Sequence, residues 1–313
     1  MTSIAGLRAG VGLLLGALVA GAGAVSAETL PADSTPGAHP AAVAVTAATR
    51  APAPELPGGG RRIYPGHVLV AYYGTAGTGA LGVLGEQPPD RITPRLRRAA
   101  GAFATPRRKV QVVYELIVTV ADATPGPDGD YNHDIARAEV ERYRRAAHRN
   151  QALLVLDLQP GRADFLTVAK RWRWALRDPW VGLALDPEWR MAPGRVPGRV
   201  IGQVGAREVN RVSAWLADLT ERLDLPQKVF MLHQFRTDMV RDIGRVVDRD
   251  ALAMIQHVDG FGTPSQKLTT YHTVARPDRF EMGFKLFYDE DTDLISPRRV
   301  LRIRPRVGFV SYQ

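Results

Sequence analysis

The chain has 313 residues, 45% of them hydrophobic and none of them cysteine, with a formal net charge of +9. Without thiols there can be no disulfides, cysteine catalysis, zinc–thiolate site or lipidated cysteine anchor, so any folded domain must rest on its apolar core. The basic runs (Arg95, Arg97 and Arg98; Arg107, Arg108 and Lys109; Arg142, Arg144 and Arg145) are short and carry no stacking series of aromatics; they read as solvated faces, and nucleic acid is not an expected partner.

Arg8 precedes an uncharged apolar run from Ala9 to Ala27 that ends Val25-Ser26-Ala27 before Glu28. Charge on the leading side and small residues at the end predict a signal peptide over 1–27, hence a secreted or cell-envelope protein. The run is near the roughly 20 residues a membrane span needs, so an uncleaved anchor is the alternative; its five glycines make it a poor helix. No later segment could cross a membrane, and none is expected to. Residues 28–60 are rich in Pro and Ala, lack apolar periodicity and end in Gly58-Gly59-Gly60, which predicts a flexible linker.

From Arg61 the pattern changes to apolar runs of strand length: 67–74, 111–120, 152–159, 181–186, 228–234, 252–259, 280–289 and 307–312. Continuous apolar runs suit strands buried on both faces of a parallel sheet. The segments between carry helical spacing, most clearly 206–223, where Val209, Val212, Leu216, Leu219 and Leu223 share a stripe. Alternating strands and helices over residues 61–313 predict a single α/β domain, a (β/α)8 barrel of TIM type, which typically has about 250 residues. A doubly wound open sheet is the alternative. The eighth strand runs to the last residues, so no last helix is expected, and its outer face is either uncovered or packed by an N-terminal segment. The seventh helix, near 296–301, reads as short.

Barrel sites lie at the C-terminal ends of the strands. The polar residues there are candidates for binding a polar substrate: Tyr73 on the first strand, Glu115 on the second and Asp157 on the third, His233 and Gln234 on the fifth, and His257 and Asp259 on the sixth. Lys285 and Asp289 on the seventh and Tyr312 on the eighth complete the set. Such groups inside a parallel sheet are costly unless paired or used. The fourth strand runs into Leu185-Asp186-Pro187-Glu188-Trp189, where strand alternation puts Asp186 and Glu188 on one face. Two close carboxylates raise one another's proton affinity, which suits Glu188 to act as the acid beside an ionised Asp186, with Trp189 as a platform for a sugar ring. In the competing reading Asp186 caps the following turn, Glu188 is solvated and Trp189 is core.

His233, His257 and Asp259 could be metal ligands, but no His-x-His lies on the first strand and no His-Glu-x-x-His occurs anywhere; hydrogen bonding is the expected use, and no metal or cofactor is assigned. Gly77-x-Gly79-x-x-Gly82 matches a dinucleotide fingerprint, yet Pro88 and Pro89 follow in place of an expected helix start, so it reads as a loop.

With the barrel pattern, the Asp186-x-Glu188 strand end is similar to the Asp-x-Glu end of the family-18 chitinase signature. The resemblance implies Glu188 as acid and Asp186 as its partner in a glycosidase-like barrel. The two upstream Asp of that signature fall on Val181 and Ala184, so no specific family follows. The expected function is an exported glycan-active hydrolase whose partner is a polysaccharide or cell-wall glycan. The alternative is a non-catalytic glycan-binding or cell-surface interaction protein on the same barrel.

Overall fold

The computed structural model describes residues 52–313; the predicted signal peptide and residues 28–51 of the predicted linker lie outside them. Eight strands run in parallel: β1 His67–Gly74, β2 Lys109–Ala121, β3 Leu153–Leu158 and β4 Val181–Leu185, then β5 Lys228–Gln234, β6 Leu252–Val258, β7 Glu281–Leu286 and β8 Val307–Tyr312. Each pairs with the next, and β8 pairs with β1 through Val70↔Val310 and Tyr72↔Tyr312. The sheet is therefore a closed TIM-type barrel with no open edge in the ring.

Closure sends alternate side chains inward. The lower interior is apolar, filled by Leu69, Ala71, Val113, Val155, Val229, Met231, Ile255 and Phe309. The outward set packs against helices α1 Pro89–Gly101, α2 Arg137–Arg149, α3 Phe165–Arg171 and α4 Ala206–Arg222, then α5 Pro264–Val274 and the one-turn α6 Pro297–Val300. The helix expected at 206–223 is α4, and its predicted stripe is buried at Val209, Val212, Leu216 and Leu219.

Four features differ from the sequence expectation. Pro89 opens α1 where a loop is expected: proline at the first helical position loses no intrahelical bond, and Ile92, Leu96 and Ala100 then face the core. Where a helix belongs in the repeat, the β5–β6 crossover holds a two-residue strand, Val240–Arg241, and the short 3-10 turn Ile243–Arg245. The strand read as 280–289 stops at Leu286, because the Asp291 carboxylate accepts the Phe287 N–H at 3.0 Å and turns the chain. Within residues 54–60, whose composition reads as linker, Glu55 and Leu56 contact the barrel. Leu56 is 7% exposed and joins the lower interior with Ile63, and Trp180 Nε1 donates to the Glu55 carbonyl at 2.7 Å. One apolar residue among prolines and glycines is invisible to a compositional average.

Among the described residues, an aromatic cluster covers the outer faces of β1 and β8. Tyr312 stacks on Tyr288 at 5.1 Å and meets Tyr72 and Phe103 edge-on, while the Arg95 guanidinium lies 5.5 Å from the Tyr288 ring centre.

Two expected outcomes follow from this packing. Leu56→Ala should lower the unfolding free energy by about 2 kcal/mol, the lower end for a buried Leu truncation, measured by urea titration; an unchanged midpoint would mean that Leu56 does not pack against the lower interior. Removing residues 308–313 deletes the strand that joins β7 to β1 and exposes two edges, so cooperative unfolding should be lost. A truncated chain with a sharp thermal transition would refute closure by β8.

Candidate functional site

Alternation gathers the inward residues of the upper barrel into one cluster, to which every strand contributes: Tyr73, Glu115, Asp157, His233, His257, Lys285 and Ser311, with Asp186 and Asp259 just past the ends of β4 and β6. Register sets neighbours side by side: Tyr73↔Glu115, His233↔His257 and Lys285↔Ser311. All nine are buried.

His233 is the hub. Its Nε2 lies 3.1 Å from Glu115 Oε1 and 3.7 Å from Asp157 Oδ1, and its Nδ1 lies 3.0 Å from Asp259 Oδ2. The Nδ1 contact is a formed hydrogen bond. The Nε2–Glu115 contact is close but misaligned, so both atoms remain without a hydrogen-bond partner. Tyr73 donates its hydroxyl to Asp157 Oδ2 at 2.9 Å, and the Lys285 ammonium lies 3.4 Å from the Tyr73 ring centre. His257 Nε2 pairs with Ser311 Oγ at 2.7 Å.

Burial dominates the electrostatics. It pushes the Asp157 carboxyl up to about 6, with Glu115 adding to the rise and His233 opposing it. Asp186 is held well above the usual carboxylate range by burial, reinforced by Asp157, Glu188 and Asp259. Burial alone would depress His233, but Asp157, Asp259 and Glu115 overcome it and hold the imidazole well above its ordinary range. His257 moves the opposite way, by burial and then the neighbouring His233 charge. Glu188 is half-buried and raised to about 7, by burial and the Asp259 charge against Lys285 and His233.

Several sequence expectations are corrected. The fourth strand ends at Leu185, and Asp186 caps the 3-10 turn Pro187–Trp189 by accepting the Glu188 N–H at 3.3 Å. Asp186 and Glu188 are thus related by a turn and not by strand alternation. The charge that raises Glu188 is that of Asp259, and Asp186 is itself raised well above the usual carboxylate range by burial. Gln234 points outward because His233 points in; it accepts from Gln256 Nε2 at 2.7 Å. Tyr312 belongs to the outer ring cluster. Asp289 lies on the exposed turn that Asp291 creates. Trp189 is half-buried in the capped turn.

Three further residues support or extend the site. Lys267 Nζ is buried against Asp291 at 3.0 Å and donates to the Gly260 and Lys285 carbonyls, tying the ends of β6 and β7 together. Phe261, two residues past Asp259, is 64% exposed with its ring 5.9 Å from Phe287. Ser311 was within reach of the sequence, since it shares parity with Phe309 on β8. Lys267, on a helix, carried no signal.

No protein-family model and no curated protein matches the sequence. Among solved structures, an HpcH/HpaI aldolase from Desulfitobacterium hafniense DCB-2 aligns at 10% identity over 79% of this chain and 86% of its own, with a TM-score of 0.38. A hyperthermophilic endo-β-1,4-glucanase aligns at 9% identity over 64% of this chain and 76% of its own, with a TM-score of 0.33. Among the described residues no helix is long and apolar enough to cross a membrane.

Proposed function

We propose that the barrel mouth is the acid–base site of an exported hydrolase acting on a glycan. The observation that carries this reading is the division of roles between Glu188 and Asp259. Glu188 sits at the rim, half-buried, with a carboxyl poised near 7. A carboxylic acid still protonated near neutral pH can deliver a proton to a leaving oxygen. Asp259 accepts a hydrogen bond from the His233 ring through Oδ2 and leaves Oδ1 without a partner. An oxygen so placed can take a proton from water or attack directly.

The surroundings suit a sugar. Asp186, whose proton affinity burial raises, lies beside the mouth, and exposed Phe261 offers an apolar face of the kind on which a pyranose ring stacks. The Arg8-led apolar run and small residues before Glu28 support export, which places the enzyme where polysaccharides are met.

The decisive test is a screen of the purified protein against cell-wall and storage glycans, with product release and binding both recorded. On an active substrate, Glu188→Gln should lower turnover by about 100-fold or more, the scale of losing a general acid, with melting temperature and glycan affinity unchanged. Glu188 must be protonated to act, so the rate should fall as pH rises through about 7. Equal turnover in Glu188→Gln and wild type would sink the assignment, and binding without turnover in either would transfer the mouth to a lectin-like role.

A further inference from the structure

The floor of the mouth holds more unused valence than a proton network can satisfy. Among the described residues eight buried side-chain polar atoms lack a hydrogen-bond partner, and six of them belong to this one cluster: Glu115 Oε1 and Oε2, Asp157 Oδ1, His233 Nε2, His257 Nδ1 and Asp259 Oδ1. Leaving a buried polar atom unpaired is costly, so a concentration of this kind calls for a shared partner. Ligand atoms of Glu115, His233 and His257 all lie within 4.8 Å of one another, the separation expected for donors around a single ion. Asp157 Oδ1 is 3.7 Å from His233 Nε2 and adds a fourth donor.

We propose that Glu115, His233 and His257, with Asp157 alongside, bind one divalent first-row transition cation at the floor of the barrel mouth. This goes beyond the glycan reading and does not depend on it.

The outer contacts of both imidazoles fit this assignment. A ligating histidine is usually oriented by a hydrogen bond from its other ring nitrogen to a carboxylate or another acceptor. His233 makes that bond from Nδ1 to Asp259, which turns Nε2 toward Glu115 and Asp157. His257 makes it from Nε2 to Ser311, which leaves Nδ1 free. Space beside that nitrogen is kept by Gly283: a Cβ there would collide with His257 Nδ1 and come within 3.0 Å of its Cα.

Charge points the same way. Glu115, Asp157 and Asp259 converge on His233 in this mouth, while Lys267 is already engaged by Asp291, leaving Lys285 and the imidazoles to face them. Beneath lies the apolar layer with Phe309, whose ring is 5.0 Å from His257, so the carboxylates have no solvating group from below. A proton can bridge one donor pair, whereas a cation bonds all the converging atoms together. Imidazole and carboxylate without thiolate suit Zn²⁺, Mn²⁺, Fe²⁺ or Co²⁺.

The test uses the full chain without substrate. After dialysis against a chelator, the protein is titrated with Zn²⁺, Mn²⁺ and Co²⁺ by calorimetry, with melting temperature followed in parallel. At least one cation should bind at one equivalent, with micromolar or tighter affinity, and raise the melting temperature. Ser311→Ala should weaken binding about 10- to 100-fold, the range for an outer partner of a ligand. Glu115→Gln and His257→Ala should weaken it more. Where a variant does not fold, the visible spectrum of the wild-type protein with one equivalent of Co²⁺ decides: bands of imidazole and carboxylate coordination support the site, and the spectrum of aqueous Co²⁺ overturns it. No cation bound more tightly than millimolar, or binding that survives both Glu115→Gln and His257→Ala, also overturns the proposal, the latter by assigning the ion to surface histidines.

Discussion

Closing a parallel sheet on itself forces every second side chain of eight strands into a tube with no room for bulk water. The β1–β8 pairing, carried by Val70↔Val310 and Tyr72↔Tyr312, imposes that condition here. What is placed inside must then be apolar and packed, or polar and matched to other residues in the tube. This chain does both at different depths. Leu69, Val113, Met231, Ile255 and Phe309 fill the lower layer, with Leu56 and Ile63 added from the segment before β1. One step further along the same strands come Tyr73, Glu115, Asp157, His233, His257, Lys285 and Ser311.

The change from apolar to polar within a single alternation step creates the site's electrostatics. With the apolar layer below and helices around, the carboxylates are poorly solvated, and burial is the leading cause of the raised Asp157, Asp186 and Glu188 acids. His233 is the counterweight, holding Asp259 by a hydrogen bond and facing Glu115 and Asp157 on its other side. Such a layer is a poor contributor to stability, since unpaired buried groups each cost on the order of a kcal/mol or more. A protein tolerates that where the strain serves binding or catalysis and the rest of the fold offsets it.

Short-range turn chemistry then decides which of the nearby polar residues reach the mouth. Asp186 ends β4 by capping Pro187–Trp189, and so moves Glu188 from the strand to the rim. Asp291 ends β7 by taking the Phe287 N–H, which sends Asp289 to the surface and frees Asp291's other oxygen to accept the Gly262 N–H. Lys267 completes that corner by bonding the Gly260 and Lys285 carbonyls, fixing the segments that carry Asp259 and Lys285. The rim is thus built on backbone contacts that side-chain identity alone does not announce.

The eight strands, the TIM-type barrel and the strong helix at 206–222 were legible in the sequence, because apolar period and run length depend on the chain alone. So were Tyr73, Glu115, Asp157, His233, His257, Asp259 and Lys285 as strand-end polar residues. Tertiary structure decided the rest. The direction of Gln234 and Tyr312 follows from which parity faces the axis, and only closure fixes that. The ends of β4 and β7 follow from carboxylates that cap turns, a competition between local hydrogen bonds that hydrophobic pattern does not register. Leu56 is buried because the closed ring brings the lower apolar layer together for it to pack against. The meeting of Glu115, His233 and His257, from residues more than a hundred positions apart at the extremes, exists only once the sheet closes, since no spacing along the chain encodes a distance across a barrel.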